Sequence, residues 1–353
     1  MEIKKKLALC TLFNSVYLDK GIVLYESISE VAKDLVLYVL CMDDKCYEVL
    51  TDLKYEHLKP IKLTDFENEK LIEAKNNRPF GQYCWTCSSS LIKYVLDTYQ
   101  PDYCTYLDAD MFFYSDPIIL INEMERKSAS VSIIGHRFGW YAEKSEKKIG
   151  RYCVECNTFK NDDNARKLLE IWINQCLEDC SQKDDGIHWG DQKYMDNWVD
   201  DYPYVIESDN YGAGIAPWNI PQYKLVKHDN NGTFIVKCKG KEYIPLFYHF
   251  EGITYVSNDH ADIHVYSRWS IDDRLIDIFY KDYLRRIKKT KEFLLEEYNI
   301  DCLIKTHPAL SPKSNFQKIL GKMRYFLKAG PVGFLFHIIP RTIYYKKDQF
   351  DIL

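Results

Sequence analysis

Short apolar runs alternate with segments of helical spacing along this chain, and that alternation leaves few folds open to it. Leu7-Ala8-Leu9-Cys10-Thr11-Leu12-Phe13 reads as a buried first strand, and Asn14 to Tyr17 as a loop. Ile22, Leu24, Tyr25, Ile28 and Val31 follow at helical spacing. Leu35 to Leu40 is a second apolar run ending in Met42-Asp43-Asp44, and Ile61-Lys62-Leu63 reads as a third short strand. Ser88 to Tyr99 is helical, with Leu91, Ile92, Val95 and Leu96 on one face. This rhythm predicts a mainly parallel sheet covered by helices on both faces. Ligands of such sheets bind beyond the carboxyl ends of the strands, so functional residues are expected just after apolar runs.

The chain of 353 residues is long enough to bury a core without disulfides or structural zinc. Its 46% hydrophobic and 28% charged residues exclude a disordered chain, and its formal charge of −5 argues against a dedicated nucleic-acid binder. No uncharged apolar run approaches the ~18 residues of a spanning helix. The opening Met1-Glu2-Ile3-Lys4-Lys5-Lys6 lacks a signal-peptide core. The expectation is therefore a cytoplasmic protein with its twelve cysteines reduced. Cys84 with Cys87, and Cys153 with Cys156, have Cys-x-x-Cys spacing. The second pair falls in a strand-like run, where positions three apart face opposite sides, so free thiols are preferred over a zinc site. Tyrosine is abundant, at 28 residues; it suits stacking on bases or sugars and ordinary packing equally.

The sharpest signal is Tyr103-Cys104-Thr105-Tyr106-Leu107, a strand-like run that ends in Asp108-Ala109-Asp110. Two neighbouring carboxylates at the end of a buried strand are costly unless a cation compensates them. A divalent ion that also takes oxygens from a substrate diphosphate meets that demand. A solvated loop is the plain alternative. A phosphatase with a nucleophilic Asp108 is a second, although such a motif usually closes the first strand. Further along, Val131 to Ile134 ends in Gly135-His136-Arg137-Phe138. Tyr152 to Phe159 is strand-like and carries Asn157. Ala165 to Cys180 is helical, and Gly190-Asp191-Gln192 opens another helix-like stretch. Residues 275–298 form a long helix. Residues 311–353 hold eight Lys or Arg against two Asp, a net of +6, which leaves −11 for the rest. There Phe316, Ile319, Leu320, Met323 and Leu327 share one helical face, and this basic segment is expected to lie on a membrane surface.

The segment from Tyr106 to Pro117 resembles the Asp-x-Asp region of nucleotide-sugar-dependent glycosyltransferases of the GT-A fold, and is most similar to bacterial enzymes related to glycosyltransferase family eight. The resemblance runs from Leu7 to about Trp269. It includes Arg78, Trp85-Thr86, Gly135-His136-Arg137-Phe138, Asn157, Gly190-Asp191-Gln192, Gly212-Ala213-Gly214, Ala216-Pro217-Trp218-Asn219 and Tyr248-His249-Phe250-Glu251-Gly252. It implies a Rossmann-like α/β domain over residues 1–305, with a mainly parallel central sheet and a basic amphipathic tail over 306–353. It implies Mn²⁺ or Mg²⁺ held by Asp108, Asp110 and His249 on the diphosphate of a nucleotide sugar.

The family's Gly is matched by Gly252, but its following Lys-Pro-Trp is absent, and Arg268, beside Trp269, stands as a substitute phosphate contact. Over the end of the first strand, Thr11 and Phe13 would offer backbone groups to the base and Tyr17 would stack on it. Asp43 would accept from base or ribose, and Arg78 would pair with phosphate. Each also has an ordinary loop or surface reading. Asn157, Asp191 and Gln192 match the sugar-site residues, with Asp191 alternatively a helix cap. Gly212 would let a tight turn approach the sugar or acceptor, and Trp218 is open between stacking on an acceptor and packing. The implied activity is transfer of a hexose, from UDP above other nucleotides, to a surface-glycan or lipid-linked acceptor with retention, on the inner face of the membrane. The rivals are the aspartate phosphatase and a non-catalytic nucleotide- or glycan-binding protein at the membrane.

Overall fold

The first apolar run becomes β1 (Leu7–Phe13), buried at every position. After it come α1 (Leu18–Val31), β2 (Val36–Cys41), α2 (Asp44–Leu53), β3 (Leu58–Lys62), α3 (Leu63–Phe66), α4 (Glu69–Asn77), α5 (Phe80–Tyr99) and β4 (Tyr103–Leu107). The middle of the chain forms β5 (Met111–Phe113), α6 (Ile118–Arg126), β6 (Val131–Gly135), α7 (Glu143–Ile149), β7 (Tyr152–Lys160), α8 (Asp163–Glu178), α9 (Trp198–Asp201) and β8 (Val205–Glu207). The last third holds β9 (Lys224–His228), β10 (Phe234–Cys238), β11 (Lys241–Tyr243), β12 (Phe247–His249), β13 (Thr254–Ser257), β14 (His260–Asp262) and α10 (Asp273–Tyr298). This computed structural model describes residues 6–302, apart from 33, 140–141, 184, 230–231, 258–259 and 264–270. The basic tail and Arg268 lie outside the described residues.

Seven strands form one sheet in the order β3-β2-β1-β4-β7-β6-β8. The pairs β1–β2, β1–β4, β2–β3 and β6–β8 are parallel, while β7 runs antiparallel to both β4 and β6. The expected α/β domain with a mainly parallel central sheet is thus what the chain forms. A parallel sheet needs cover on both faces. On one face Leu91, Ile92 and Val95 of α5 pack with Trp172 of α8. On the other, Ile22 and Leu24 of α1 pack with Val49 of α2 and Leu120 of α6.

Local chemistry sets the element ends. Asp43, Asn68 and Asp162 accept hydrogen bonds from the first turns of α2, α4 and α8. Lys54, Gln100 and Asn299 close α2, α5 and α10 in left-handed conformation. The third strand starts three residues earlier than read, at Leu58, and ends at Lys62, where Leu63 turns into α3. The stretch after Gln192 is a single 3₁₀ turn, Lys193–Met195, rather than a longer helix.

Part of the tyrosine excess goes into packing. Strands β9 to β14 and helix α10 surround a third core that includes Tyr248, Phe250, Phe279, Tyr280 and Tyr283. The Phe250 and Tyr283 rings stack with centroids 3.7 Å apart, and the Tyr248 and Tyr280 hydroxyls pair at 2.9 Å. Among the described residues, no helix is long and apolar enough to cross a membrane.

Candidate active site

The two aspartates fall in the turn between β4 and β5, at the carboxyl edge of the sheet. The Asp108 N–H donates to the Glu155 carbonyl of β7 at 3.1 Å, which holds the turn against the antiparallel neighbour. Strand β5 then pairs with β12, placing His249 opposite Met111. The Phe250 N–H donates to the Asp110 carbonyl at 2.7 Å. A small two-stranded ladder thus brings together residues 139 positions apart in sequence.

The imidazole of His249 is held on both sides. Its Nδ1 lies 2.6 Å from Glu155 Oε2. Its Nε2 lies 3.1 Å from Asp110 Oδ1 and 3.8 Å from Asp108 Oδ2. Glu155 is fully buried and the His249 side chain is 5% exposed, whereas the Asp108 side chain is 31% exposed and opens to solvent. The second oxygen of Glu155, Oε1, has no hydrogen-bond partner among the described residues. Cys153 joins from the same face of β7, two residues before Glu155. Asp108, Cys153 and His249 each offer a ligand atom, all within 4.8 Å of one another.

The charges follow from this crowding. Burial opposes a charged imidazole, but Asp110, Cys153 and Glu155 outweigh it and hold the His249 pKa well above its ordinary value. Burial alone would raise Asp110; His249 and Lys20 instead pull it down to about 2. Asp108 is pushed up to about 6, by its partial withdrawal from water first, against the pull of His249, with Asp110 and Glu155 adding to the rise. Three carboxylates around one imidazole make a site in negative excess. A carboxylate behind a histidine whose other nitrogen faces further carboxylates is the usual support of a metal-ligating imidazole. The donor set of oxygens with one nitrogen fits a divalent ion such as Mn²⁺. The Cys153 thiol is the soft exception.

Asp191 lies in the same region. It is buried, its Oδ2 accepts from Ser88 Oγ at 2.6 Å, and its carbonyl accepts from Trp172 Nε1 at 2.8 Å. It does not cap the following turn, whose first residues take no side-chain hydrogen bond. Burial, with the charge of Asp108 added, pushes its pKa up to about 7 against the Ser88 hydrogen bond. Gly190 has φ +62, and a Cβ there would lie 3.5 Å from the Trp85 ring. The Gln192 amide donates to the Ile149 carbonyl at 3.0 Å. Asn157 is fully buried, its amide directed at Met195 Sδ at 3.2 Å and its Oδ1 without a partner among the described residues.

Most of the residues expected at the nucleotide have local partners, but the buried Thr11 hydroxyl has no hydrogen-bond partner among the described residues. Thr11 is buried on β1. The Phe13 carbonyl accepts from the Met42 N–H at 2.9 Å, and its ring fills the space beside Gly21. Tyr17 sits under the Lys20 ammonium, 3.8 Å from ring centroid to Nζ. Asp43 caps α2 through Cys46 N and holds Ser15 through its N–H and hydroxyl. The Arg78 guanidinium reaches Thr86 Oγ1 and the Cys176 and Leu177 carbonyls at the end of α8. Ala109 is buried between the two aspartates. Trp218 packs edge-on to His249 with centroids 5.4 Å apart, and its Nε1 donates to the His136 carbonyl at 2.8 Å.

The Gly-rich loop is held from below. Arg137 donates to the Ser208, Asn210 and Ala213 carbonyls, and Asn219 donates to the Gly214 and His136 carbonyls. A Cβ on Gly212 would lie 2.3 Å from the Ile244 carbonyl oxygen, a backbone atom that cannot swing aside. Gly212→Ala is therefore expected to destabilise the fold by about 2 kcal/mol and to lower the melting temperature by several degrees. A thermal melt within one degree of the unmodified chain would refute this packing.

Two residues that matter here were not read as site residues: Glu155 lies in no spaced motif, and Cys153 was read only as half of a Cys-x-x-Cys pair of free thiols. Glu155 and Cys153 share one face of β7, whereas past the irregular register of the β6–β7 pairing Asn157 turns to Met195 on the other; an acid inside a buried strand was the available sign. With fold and cluster described, the class is an α/β protein with a candidate cation site at the carboxyl edge of its sheet. The chain belongs to the family of the uncharacterized protein YfnF of Bacillus subtilis strain 168. The two are 30% identical over 298 residues, covering 83% of this chain and 96% of that protein. It is 29% identical over 286 residues to the uncharacterized protein YfnD of the same strain, covering 79% of this chain and 88% of that one. No protein-family model matches the chain. Among solved structures it is similar to the galactosyltransferase LgtC in complex with donor and acceptor sugar analogs. That match has a TM-score of 0.48 and 13% identity, and covers 80% of this chain and 95% of LgtC.

Proposed function

We propose that this protein is a metal-dependent GT-A glycosyltransferase. It moves a hexose from a nucleotide sugar, with UDP as the expected nucleotide, to a surface-glycan or lipid-linked acceptor. The observation that carries the reading is His249, with Nδ1 fixed by buried Glu155 and Nε2 turned to Asp110 and Asp108 at the end of β4. The ordered series of motifs from Leu7 to Trp269 supports it.

Asp108, Asp110 and His249 are the residues that would hold Mn²⁺ or Mg²⁺. Such an ion offsets the diphosphate charge and improves it as a leaving group. Glu155 keeps the imidazole oriented and Nε2 presented to the site. Gln192 has its amide nitrogen anchored on Ile149, which leaves its carbonyl oxygen as the group to face a cation-like sugar in a retaining route. Asp191, beside Asp108 electrostatically, orients sugar hydroxyls in that route; in an inverting route it accepts the acceptor's proton.

The pH profile separates these two roles. A base must be deprotonated, so an inverting Asp191 makes turnover fall tenfold per unit below pH ~7. The Ser88 hydrogen bond favours the charged carboxylate, so Ser88→Ala would move that acid limb to higher pH. A profile that Ser88→Ala leaves in place assigns Asp191 to sugar orientation.

The experiment that tests the function is a screen of nucleotide sugars for hydrolysis with Mn²⁺, since transferases slowly hydrolyse their own donor. Release of nucleoside diphosphate from one donor, abolished by EDTA, is the expected result. No hydrolysis of any donor, or full activity in EDTA, would refute the proposal.

A further inference from the structure

Lys20 is the third residue of α1, immediately after the first strand-to-helix connection, and it is 3% exposed. A buried ammonium is normally found in an ion pair, because leaving water is costly for a full charge. Lys20 has none within 4 Å among the described residues. Its Nζ sits 3.8 Å over the ring of Tyr17, a contact weaker than an ion pair at this depth. Its charge nevertheless reaches the metal-site aspartate: Asp110 and Asp19 both favour the ammonium form of Lys20, and Lys20 in turn helps to hold Asp110 ionised.

Asp19 is turned elsewhere. It accepts the Tyr255 hydroxyl at 3.1 Å and the Lys20 N–H at 2.9 Å. The ammonium therefore stands just past the carboxyl end of β1, within electrostatic reach of Asp110, with no carboxylate in contact among the described residues. The sequence meanwhile lacks the Lys-Pro-Trp that the resemblance places after Gly252. A diphosphate lying against Asp110 would bring two to three negative charges to this cation, and a charge-assisted hydrogen bond would complete its coordination.

We propose that Lys20 is the cationic diphosphate contact of this protein, presented from α1 on the Tyr17 ring rather than from the late motif. The inference rests on the nucleotide-sugar reading above, in which the diphosphate lies on Asp108 and Asp110. It assigns a binding role to a residue of the first helix and makes Tyr17 the platform that orients its ammonium.

Titration of the full chain with inorganic pyrophosphate in the presence of Mn²⁺ tests it. Lys20→Gln keeps a polar side chain, one atom shorter, but removes the charge, and is expected to weaken pyrophosphate binding about tenfold or more. Lys20→Arg is expected to stay within about threefold of the unmodified chain. Equal binding by Lys20→Gln and the unmodified protein, or no pyrophosphate binding by either, overturns the inference. Lys20-dependent pyrophosphate binding by a protein that hydrolyses no nucleotide sugar would sustain it while refuting the proposed activity. Should Lys20→Gln fail to fold, a crystal structure of the unmodified protein with Mn²⁺ and pyrophosphate decides the matter. Nζ within hydrogen-bond distance of a phosphate oxygen is the expected result, and an ammonium still confined to the Tyr17 ring overturns it.

Discussion

Replacing Asp110 with Asn is expected to lower Mn²⁺-dependent donor hydrolysis by about a thousandfold while the fold persists. The carboxylate lies 3.1 Å from His249 Nε2 and is held ionised by His249 and Lys20. The amide keeps the shape and one acceptor oxygen but loses the charge that a divalent ion needs. Metal stabilisation of a leaving diphosphate contributes several kcal/mol, and each ~1.4 kcal/mol is tenfold in rate. Fold retention follows from the backbone contact, since the Phe250 N–H donates to the Asp110 carbonyl and does not depend on its side chain. The check is a comparison of initial rates at saturating Mn²⁺, with circular dichroism of both proteins. Rates within a few-fold of each other would remove Asp110 from the metal.

The second large effect concerns Glu155, which never touches the substrate in this account. Its Oε2 fixes His249 Nδ1 at 2.6 Å, and its burial makes that contact insensitive to solvent and salt. Glu155→Ala frees the imidazole to rotate and removes the charge behind it. Mn²⁺ affinity is then expected to fall about 10–100-fold, the usual cost of losing such a supporting partner. Glu155→Gln should fall less, because an amide oxygen still accepts from Nδ1. In both variants, raising Mn²⁺ should recover much of the rate, which separates a positioning residue from a catalytic one. Unchanged Mn²⁺ affinity in Glu155→Ala would show that His249 is oriented by its other contacts.

The sheet was readable because its strands are apolar on both faces, a pattern that survives without any alignment. β1, β2 and β4 all announce themselves this way, and the Asp-x-Asp pair falls where such sheets put their ligands. The reversed direction of β7 was not readable, since a strand buried on both faces looks the same in either orientation. Strand β5 was hidden for a different reason. Three residues, Met111-Phe112-Phe113, are too few to show a period, and their strand character comes from pairing with β12, far away in sequence.

The same distinction divides the site. Asp108 and Asp110 are legible because they lie one residue apart and follow a strand. His249 was reached only through the order of motifs, because a lone histidine after an apolar run is ordinarily a core residue. Glu155 became visible, and Cys153 joined the site, only when the antiparallel β4–β7 pairing laid them beside the aspartates. Asp43 shows the reverse case: its place after β2 suggested a nucleotide contact, yet capping α2 and holding Ser15 occupy its carboxylate in this structure. Position after a strand marks both ligand contacts and helix caps, and spacing cannot separate them.

The central claim is that Asp108, Asp110 and His249 together hold the cation that carries the donor diphosphate. Anomalous diffraction at the manganese edge, from crystals grown with Mn²⁺ and UDP, tests it most directly. The account predicts a single strong peak between His249 Nε2 and the two aspartates, with the UDP diphosphate completing its coordination. A peak elsewhere, or UDP bound with no manganese beside these three residues, would contradict it.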